Sequence, residues 1–158
     1  EINIERSPWA NKLQVQHTAL QDFRSDETFD LIVSNPPYFV HGQTFDSAAR
    51  QQARHTNTLL HTELIDSALP LLSAKGHLAL VLPYDAGENV LRYCQDIAGL
   101  QIRSVAIKTT LRKSAKRMLI DICYGDVASS TEELLIHNES GSYSDVFINL
   151  TREFYLKM

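Results

Sequence analysis

Asn35, Pro36, Pro37 and Tyr38 stand together directly after the apolar run Leu31-Ile32-Val33. Their types suit one kind of chemistry. An amino group conjugated to a ring or a carbonyl is planar and a poor nucleophile. Two acceptors that bind its hydrogens favour a pyramidal nitrogen and offset the positive charge that grows as it attacks. The Asn35 side-chain oxygen and the Pro36 carbonyl are candidates for those acceptors. Tyr38 offers a flat face for stacking on a planar substrate, and Phe39 beside it is a candidate substrate contact. No strong base is needed first, because the alkylated nitrogen becomes acidic and releases its proton afterwards. A bare Asn-Pro-Pro also makes an ordinary strand-end turn. The apolar run before it and the two aromatics after it favour the chemical reading.

The elements that must hold these residues are legible around them. Phe29 to Ser34 reads as a strand, and its short apolar run suits a parallel strand covered on both faces. Pro36 and Pro37 lack N–H donors and fix φ, so the strand cannot pass through them. Asn35, before a proline, is pushed towards an extended conformation. The candidate site therefore sits at the carboxyl end of a strand, where open α/β sheets bind ligands.

Earlier in the chain, Glu1 to Asn11 looks like a helix tail with a polar stop, which suggests a piece of something longer. Leu13-Gln14-Val15-Gln16 alternates like a short strand. After Phe39, residues 40–57 form a long polar stretch with Gly42, read as an active-site loop in which Arg50, Arg54 and His55 could meet phosphate. Thr62 caps a helix with Leu64, Ile65, Ala68, Leu69 and Leu72 on one face, and Pro70 tightens its end. Gly76 is expected to stop it in a left-handed conformation. His77 to Leu82 is a strand ended by Pro83. Gly87 to Ala98 is a second helix, ended by Gly99. Leu100 to Ile107 and Met118 to Tyr124 are strands whose connection, Thr109 to Lys116, suggests an antiparallel hairpin. Glu133 to His137 is a further strand, and Ser144 caps a final helix from Asp145 to Leu156. The order predicts an α/β fold, a mostly parallel sheet with one reversed strand.

Composition narrows the function classes. The chain has 158 residues, enough for one domain with a real core, and 44% of them are hydrophobic. No apolar run approaches a membrane span. Cys94 and Cys123 have no metal-type spacing and read as reduced core thiols of a cytoplasmic protein. The six histidines are scattered, so no metal site is expected. No glycine-rich dinucleotide loop follows any strand, which leaves a nicotinamide or flavin reading unsupported. The formal net charge of −4 argues against indiscriminate nucleic-acid binding. A local exception stands out. From Ile97 to Ile120 there is no acidic residue, and Arg112, Lys113, Lys116 and Arg117 cluster in the hairpin connection. These four read either as a solvated loop or as contacts to the phosphates of a nucleic acid.

Asn-Pro-Pro-Tyr after an apolar strand resembles the signature of Rossmann-like, S-adenosylmethionine-dependent methyltransferases that modify planar amino groups. Ser7-Pro8-Trp9-Ala10, the stretch from Phe29 to Tyr38, the segment Arg50 to Thr58, Tyr143-Ser144 and the ending Phe154 to Met158 sharpen the likeness. Together they resemble the bacterial tRNA1(Val) adenine-N6-methyltransferase family, which methylates the exocyclic nitrogen of adenosine 37, next to the anticodon of valine tRNA.

The resemblance spans essentially the whole chain and implies roles. Asn35 and Pro36 would bind the target amino group, Pro37 would stiffen the loop, and Tyr38 would stack on the adenine. S-adenosylmethionine would touch Ala19, Leu20 and Asn35. Ala19 stands where the family often has an acidic residue near the cofactor's adenine, with Asp22 three residues later. The resemblance also implies that the first two strands and the glycine-rich cofactor loop precede Glu1. The chain would then be the C-terminal portion of a catalytic domain, inactive by itself and a poor binder of S-adenosylmethionine. Its sheet would have exposed edges open to self-association. Two other readings stay open here: methylation of a protein glutamine amide, which needs the same acceptors, and a non-catalytic module that only binds RNA or protein.

Overall fold

The structure, a computed structural model, describes residues 2–36, 61–125 and 128–155. Five strands form one sheet: β1 (Phe29–Ser34), β2 (Leu72–Pro83), β3 (Leu100–Lys108), β4 (Arg117–Tyr124) and β5 (Ser130–Leu135). Their spatial order is β1-β2-β4-β3-β5. β1 is parallel to β2 and β5 is parallel to β3, while β4 runs against both of its neighbours. This is the mostly parallel sheet with one reversed strand that the sequence predicts. The helices among the described residues are α1 (Ile2–Glu5), α2 (His61–Ala68), α3 (Tyr84–Gln95) and α4 (Asp145–Thr151).

Period-two burial makes one face of this sheet the core. Leu78, Leu80 and Leu82 of β2 alternate inwards beside Met118, Ile120 and Ile122 of β4, all nearly or fully buried. Leu64, Ile65 and Ala68 of α2 and Ala86, Val90 and Cys94 of α3 close over them. Their helical spacing puts each set on one stripe. Pro70 tightens the end of α2 into a 3-10 turn, Leu69–Leu71, which delivers the chain into β2. Gly99 adopts φ +81 after α3, a conformation that side chains resist, and turns the chain into β3.

The opposite face is only partly covered. Val33, Ala79, Val81, Val105 and Leu119 line a shallow apolar cleft of about 330 Å³ there. Next to it, three strands are cross-linked by polar side chains. His77 Nδ1 lies 2.8 Å from Asp121 Oδ1, and Arg103 Nε donates to Asp121 Oδ2 at 2.9 Å. These pairs pin the register of β2, β4 and β3 on a face with little apolar packing of its own.

Four expectations change. Leu13 to Gln16 is no strand. Leu13 is extended at φ −118 and ψ 137, but Leu13 and Val15 are 45% and 60% exposed and no ladder partner exists among the described residues. Alternation creates a strand only where a neighbour accepts its hydrogen bonds. β1 is not covered on both faces: Ile32 packs on the core, but Leu31 and Val33 are 59% and 67% exposed on an edge strand. Gly76 is not a left-handed cap. It lies inside β2, where an added Cβ would stand 2.5 Å from the Phe29 carbonyl oxygen. Close backbone approach, at a break in the β1–β2 register between Phe29 and Leu31, is what requires glycine there. Finally, β5 begins at Ser130, three residues before the predicted strand, because Thr131, Glu132 and Glu133 pair with Ser104, Val105 and Ala106. Their polarity hid an edge strand.

Candidate active site and nucleic-acid surface

Asn35 follows the last residue of β1 directly, at the carboxyl edge of the sheet, and is exposed. Pro36 after it is buried. The strand thus hands its backbone to an anchored proline while the asparagine faces outwards. A side-chain amide and a proline carbonyl thus follow one another at one strand end. Pro37, Tyr38 and Phe39 lie outside the described residues, as does the stretch 40–57 with Arg50, Arg54 and His55.

The basic cluster shares this edge. Ser34, at the end of β1, pairs with Leu80, and β2 runs three residues further to Pro83, which pairs with Arg117. Two strand spacings, about 10 Å, and three residues of rise, about 10 Å, therefore separate Ser34 from the start of β4, and Asn35 is one residue nearer. The connection is ordered by its own backbone. Lys113 N–H donates to Thr110 O and Lys116 N–H to Ile107 O, each at 3.1 Å. Tyr84 N–H, opening α3, donates to Lys116 O at 3.2 Å and ties the helix to the loop. Arg112, Lys113, Lys116 and Arg117 are all exposed. Among the described residues, Lys108 is paired to Glu133 at 2.5 Å and Arg103 to Asp121, whereas no ion pair holds Arg112, Lys113 or Lys116.

Pro83, Tyr84, Asp85, Lys108, Lys116 and Glu133 surround a cleft of about 590 Å³ at this edge. The negative charge of Glu88, one helical turn on, pushes the Tyr84 phenol above its ordinary pKa, so it stays a neutral hydrogen-bonding group. The sequence offered one signal for Tyr84: like Tyr38, it is an aromatic directly after a proline that ends an apolar strand.

Ala19 and Leu20 stand elsewhere. Ala19 is exposed and extended, at φ −70 and ψ 147, ahead of a 3-10 turn, Leu20–Asp22. Leu20 packs on the core and lines a second cleft with Gln21, Phe23, Asp66 and Leu71. Leu71 precedes Leu72, which pairs with Phe29, so this cleft opens at the amino end of β1. Asn35 lies at the other end, roughly 20 Å away along the strand. The residues present fit the amino-group side of the proposed chemistry. Of the three residues expected to touch a cofactor, Ala19 and Leu20 stand apart from Asn35. Among the described residues no group of three or more His, Cys, Asp and Glu is placed to hold a metal ion. None of their helices is long and apolar enough to cross a membrane.

No family model matches the chain. The chain is similar to curated proteins named tRNA1(Val) (adenine(37)-N6)-methyltransferase. It is 39% identical over 158 residues to that of Tolumonas auensis, covering 100% of this chain and 66% of the relative. It is 38% identical over 156 residues to that of Aeromonas hydrophila, covering 99% and 66%. It is 35% identical over 159 residues to that of Parabacteroides distasonis, covering 99% and 67%. The chain thus spans about 66% of the length of the first two. Among solved structures, a predicted O-methyltransferase from Agrobacterium tumefaciens superposes with a TM-score of 0.58 at 19% identity, over 80% of this chain and 52% of that one. That likeness places the sheet among Rossmann-like methyltransferase folds.

Proposed function

The chain belongs to the tRNA1(Val) (adenine(37)-N6)-methyltransferase family, and from that premise we propose that its protein methylates the exocyclic N6 of adenosine 37 in valine tRNA. The observation that carries the reading is the pairing of an exposed Asn35 with a buried Pro36 at the carboxyl end of β1. The Asn35 side-chain oxygen accepts one hydrogen of the adenine amino group and the Pro36 carbonyl accepts the other. Both acceptors gain strength as the nitrogen turns positive, so they favour the transition state over the bound substrate. S-adenosylmethionine, when bound, would supply an electrophilic methyl group to the amino nitrogen that these two acceptors hold. The methylated nitrogen then releases its proton to solvent. Tyr38 and Pro37 complete the acceptor side, with Phe39 beside them. Asn35 is this chain's proposed cofactor contact, with Ala19 and Leu20 roughly 20 Å away at the amino end of β1. Arg112, Lys113 and Lys116 meet tRNA phosphates, and Arg117 adds its positive charge beside them. A single-stranded anticodon loop suits the site, because its adenine reaches the pocket without breaking a duplex.

The chain is proposed to be the C-terminal portion of the catalytic domain of a cytoplasmic protein. As an isolated piece it self-associates through the open edge of β1. The test is methyl transfer from labelled S-adenosylmethionine by the full-length protein, offered valine tRNA and, separately, a glutamine-bearing protein. Label in the tRNA that falls about 100-fold or more in Asn35→Ala, with tRNA affinity little changed, supports the proposal. Label in the protein substrate alone, or an Asn35→Ala variant with full activity, refutes it.

A further inference from the structure

A ladder of aromatic rings rises from the base of the basic loop. His137 lies on Tyr143 with ring centroids 5.0 Å apart and planes 17° apart. Tyr143 stacks in turn on Phe147 at 5.3 Å and 29°. Phe147 meets Tyr155 at 6.5 Å, tilted by 57°. The foot of the ladder is fixed to the loop, since Ile136 N–H donates to Lys108 O and His137 N–H to Thr109 O, both at 2.9 Å. Folding accounts for the inner rings. Ser144 caps α4 by accepting from Phe147 N–H at 3.1 Å, and the stack holds that helix against β5. Folding does not account for the outer end. Phe154 is 86% exposed and Tyr155 is 53% exposed, two neighbouring rings left in water. Contiguous exposed aromatic surface of this kind marks a contact site.

We propose that Phe154 and Tyr155 form a stacking platform for unpaired bases of the RNA whose phosphates meet Arg112, Lys113 and Lys116. The inference rests on the RNA reading above. What favours RNA over a protein partner is the neighbourhood. The platform stands on the same scaffold as exposed cations held by no ion pair among the described residues, while nearby Glu133 and Glu153 are paired to Lys108 and Arg152. Cations that track phosphates beside rings that stack bases are the two components of single-strand recognition. Tyr155 is braced by Phe147, so little ring freedom remains to be lost on stacking.

The experiment uses the intact protein and two fluorescein-labelled, unpaired RNA octamers. One carries bases; the other is its abasic counterpart, with the same phosphates. Anisotropy at fixed ionic strength should show the base-bearing strand bound about 5- to 150-fold more tightly, the range for one stacked base. Phe154→Ala with Tyr155→Ala should remove that preference and leave the salt slope unchanged. Phe154→Ala alone, at the more exposed ring, should reduce it, and Tyr155→Phe should keep it. Equal binding of the two octamers by the wild-type protein overturns the inference, as does an unchanged preference in the double variant. A double variant that keeps the preference but changes sedimentation mass assigns the rings to a protein contact and also overturns it. If neither octamer binds at low salt, the RNA reading itself fails along with the inference.

Discussion

Reversing two charges of the hairpin connection should change how RNA affinity depends on salt, by an amount that follows from the structure. Arg112, Lys113 and Lys116 are exposed and held by no ion pair among the described residues, whereas Lys108 and Arg103 are tied to Glu133 and Asp121. Three phosphate contacts on a single strand give a slope of log affinity against log salt of about −2. Between 50 and 200 mM salt, affinity should therefore fall about 18-fold. With Lys113→Glu and Lys116→Glu, one contact of the three remains. The slope should flatten to about −0.7 and the same salt step should cost only about threefold. Absolute affinity at 50 mM should drop as well, since two attractions become repulsions. The assay is fluorescence anisotropy of labelled valine tRNA titrated with the full-length protein across this salt range. Parallel lines for wild type and variant would remove the loop from the RNA interface, even if both bind tRNA well.

Gly76→Ala should lower stability by about 1–3 kcal/mol, seen as a fall in the urea midpoint, because the new Cβ would stand 2.5 Å from the Phe29 carbonyl and 2.9 Å from the Ser73 nitrogen, both backbone atoms; an unchanged midpoint would show that β1 can shift freely against β2. Stability should also be bounded in pH from both sides. Burial raises the Cys94 thiol from an ordinary value near 9 to about 11, so the fold favours the neutral thiol, and its contribution, complete below pH 9, is lost as pH rises towards 11. Burial lowers the His61 pKa, so its contribution, complete above the ordinary value near 6.5, is lost as pH falls below it. Urea midpoints across pH should fall on both sides of that interval, and a Cys94→Ala variant should have a shallower alkaline limb, to which the buried Cys123 thiol still contributes. Val33→Lys should suppress concentration-dependent growth in sedimentation mass of the isolated chain, since Val33 is 67% exposed on the open edge strand; the same mass in both proteins would dismiss self-association through β1.

The sheet was legible because its buried strands announce themselves. His77 to Leu82 is so strongly apolar that only its bounds were misplaced, and the antiparallel pairing of β3 with β4 followed from the length of their connection. The site was legible in part for a different reason: prolines have no N–H, so a strand must end at Pro36 and present Asn35 at its tip. The failures share a cause as well. Leu13 to Gln16 carries the alternation of a strand without a ladder partner among the described residues, and Thr131 to Glu133 has a ladder partner without the alternation. Strand identity in both places is set by a neighbour distant in sequence. Gly76 failed because a glycine that frees φ and a glycine that admits a carbonyl look alike in a sequence. The aromatic ladder of His137, Tyr143 and Phe147 went unread, since stacking depends on ring planes that spacing does not specify.

On the proposed function, charge and geometry together explain how an acidic chain would present one face to RNA. A net charge of −4 repels phosphate from most of the surface. The loop between β3 and β4 reverses that field at one place, and the reversed direction of β4 puts the loop there. If β4 ran parallel to its neighbours, the chain would have to cross back before it, and its first residues would lie at the amino edge, away from Asn35. Because it is antiparallel, Arg117 begins β4 beside Pro83, at the edge where β1 ends. The reversed strand therefore sets which edge attracts phosphate. Repulsion elsewhere matters equally, because it disfavours the orientations in which an adenine could not reach Asn35. On this argument, neutralising acidic residues far from the loop should raise total RNA affinity while lowering methylation per binding event, since more encounters would occur in unproductive orientations.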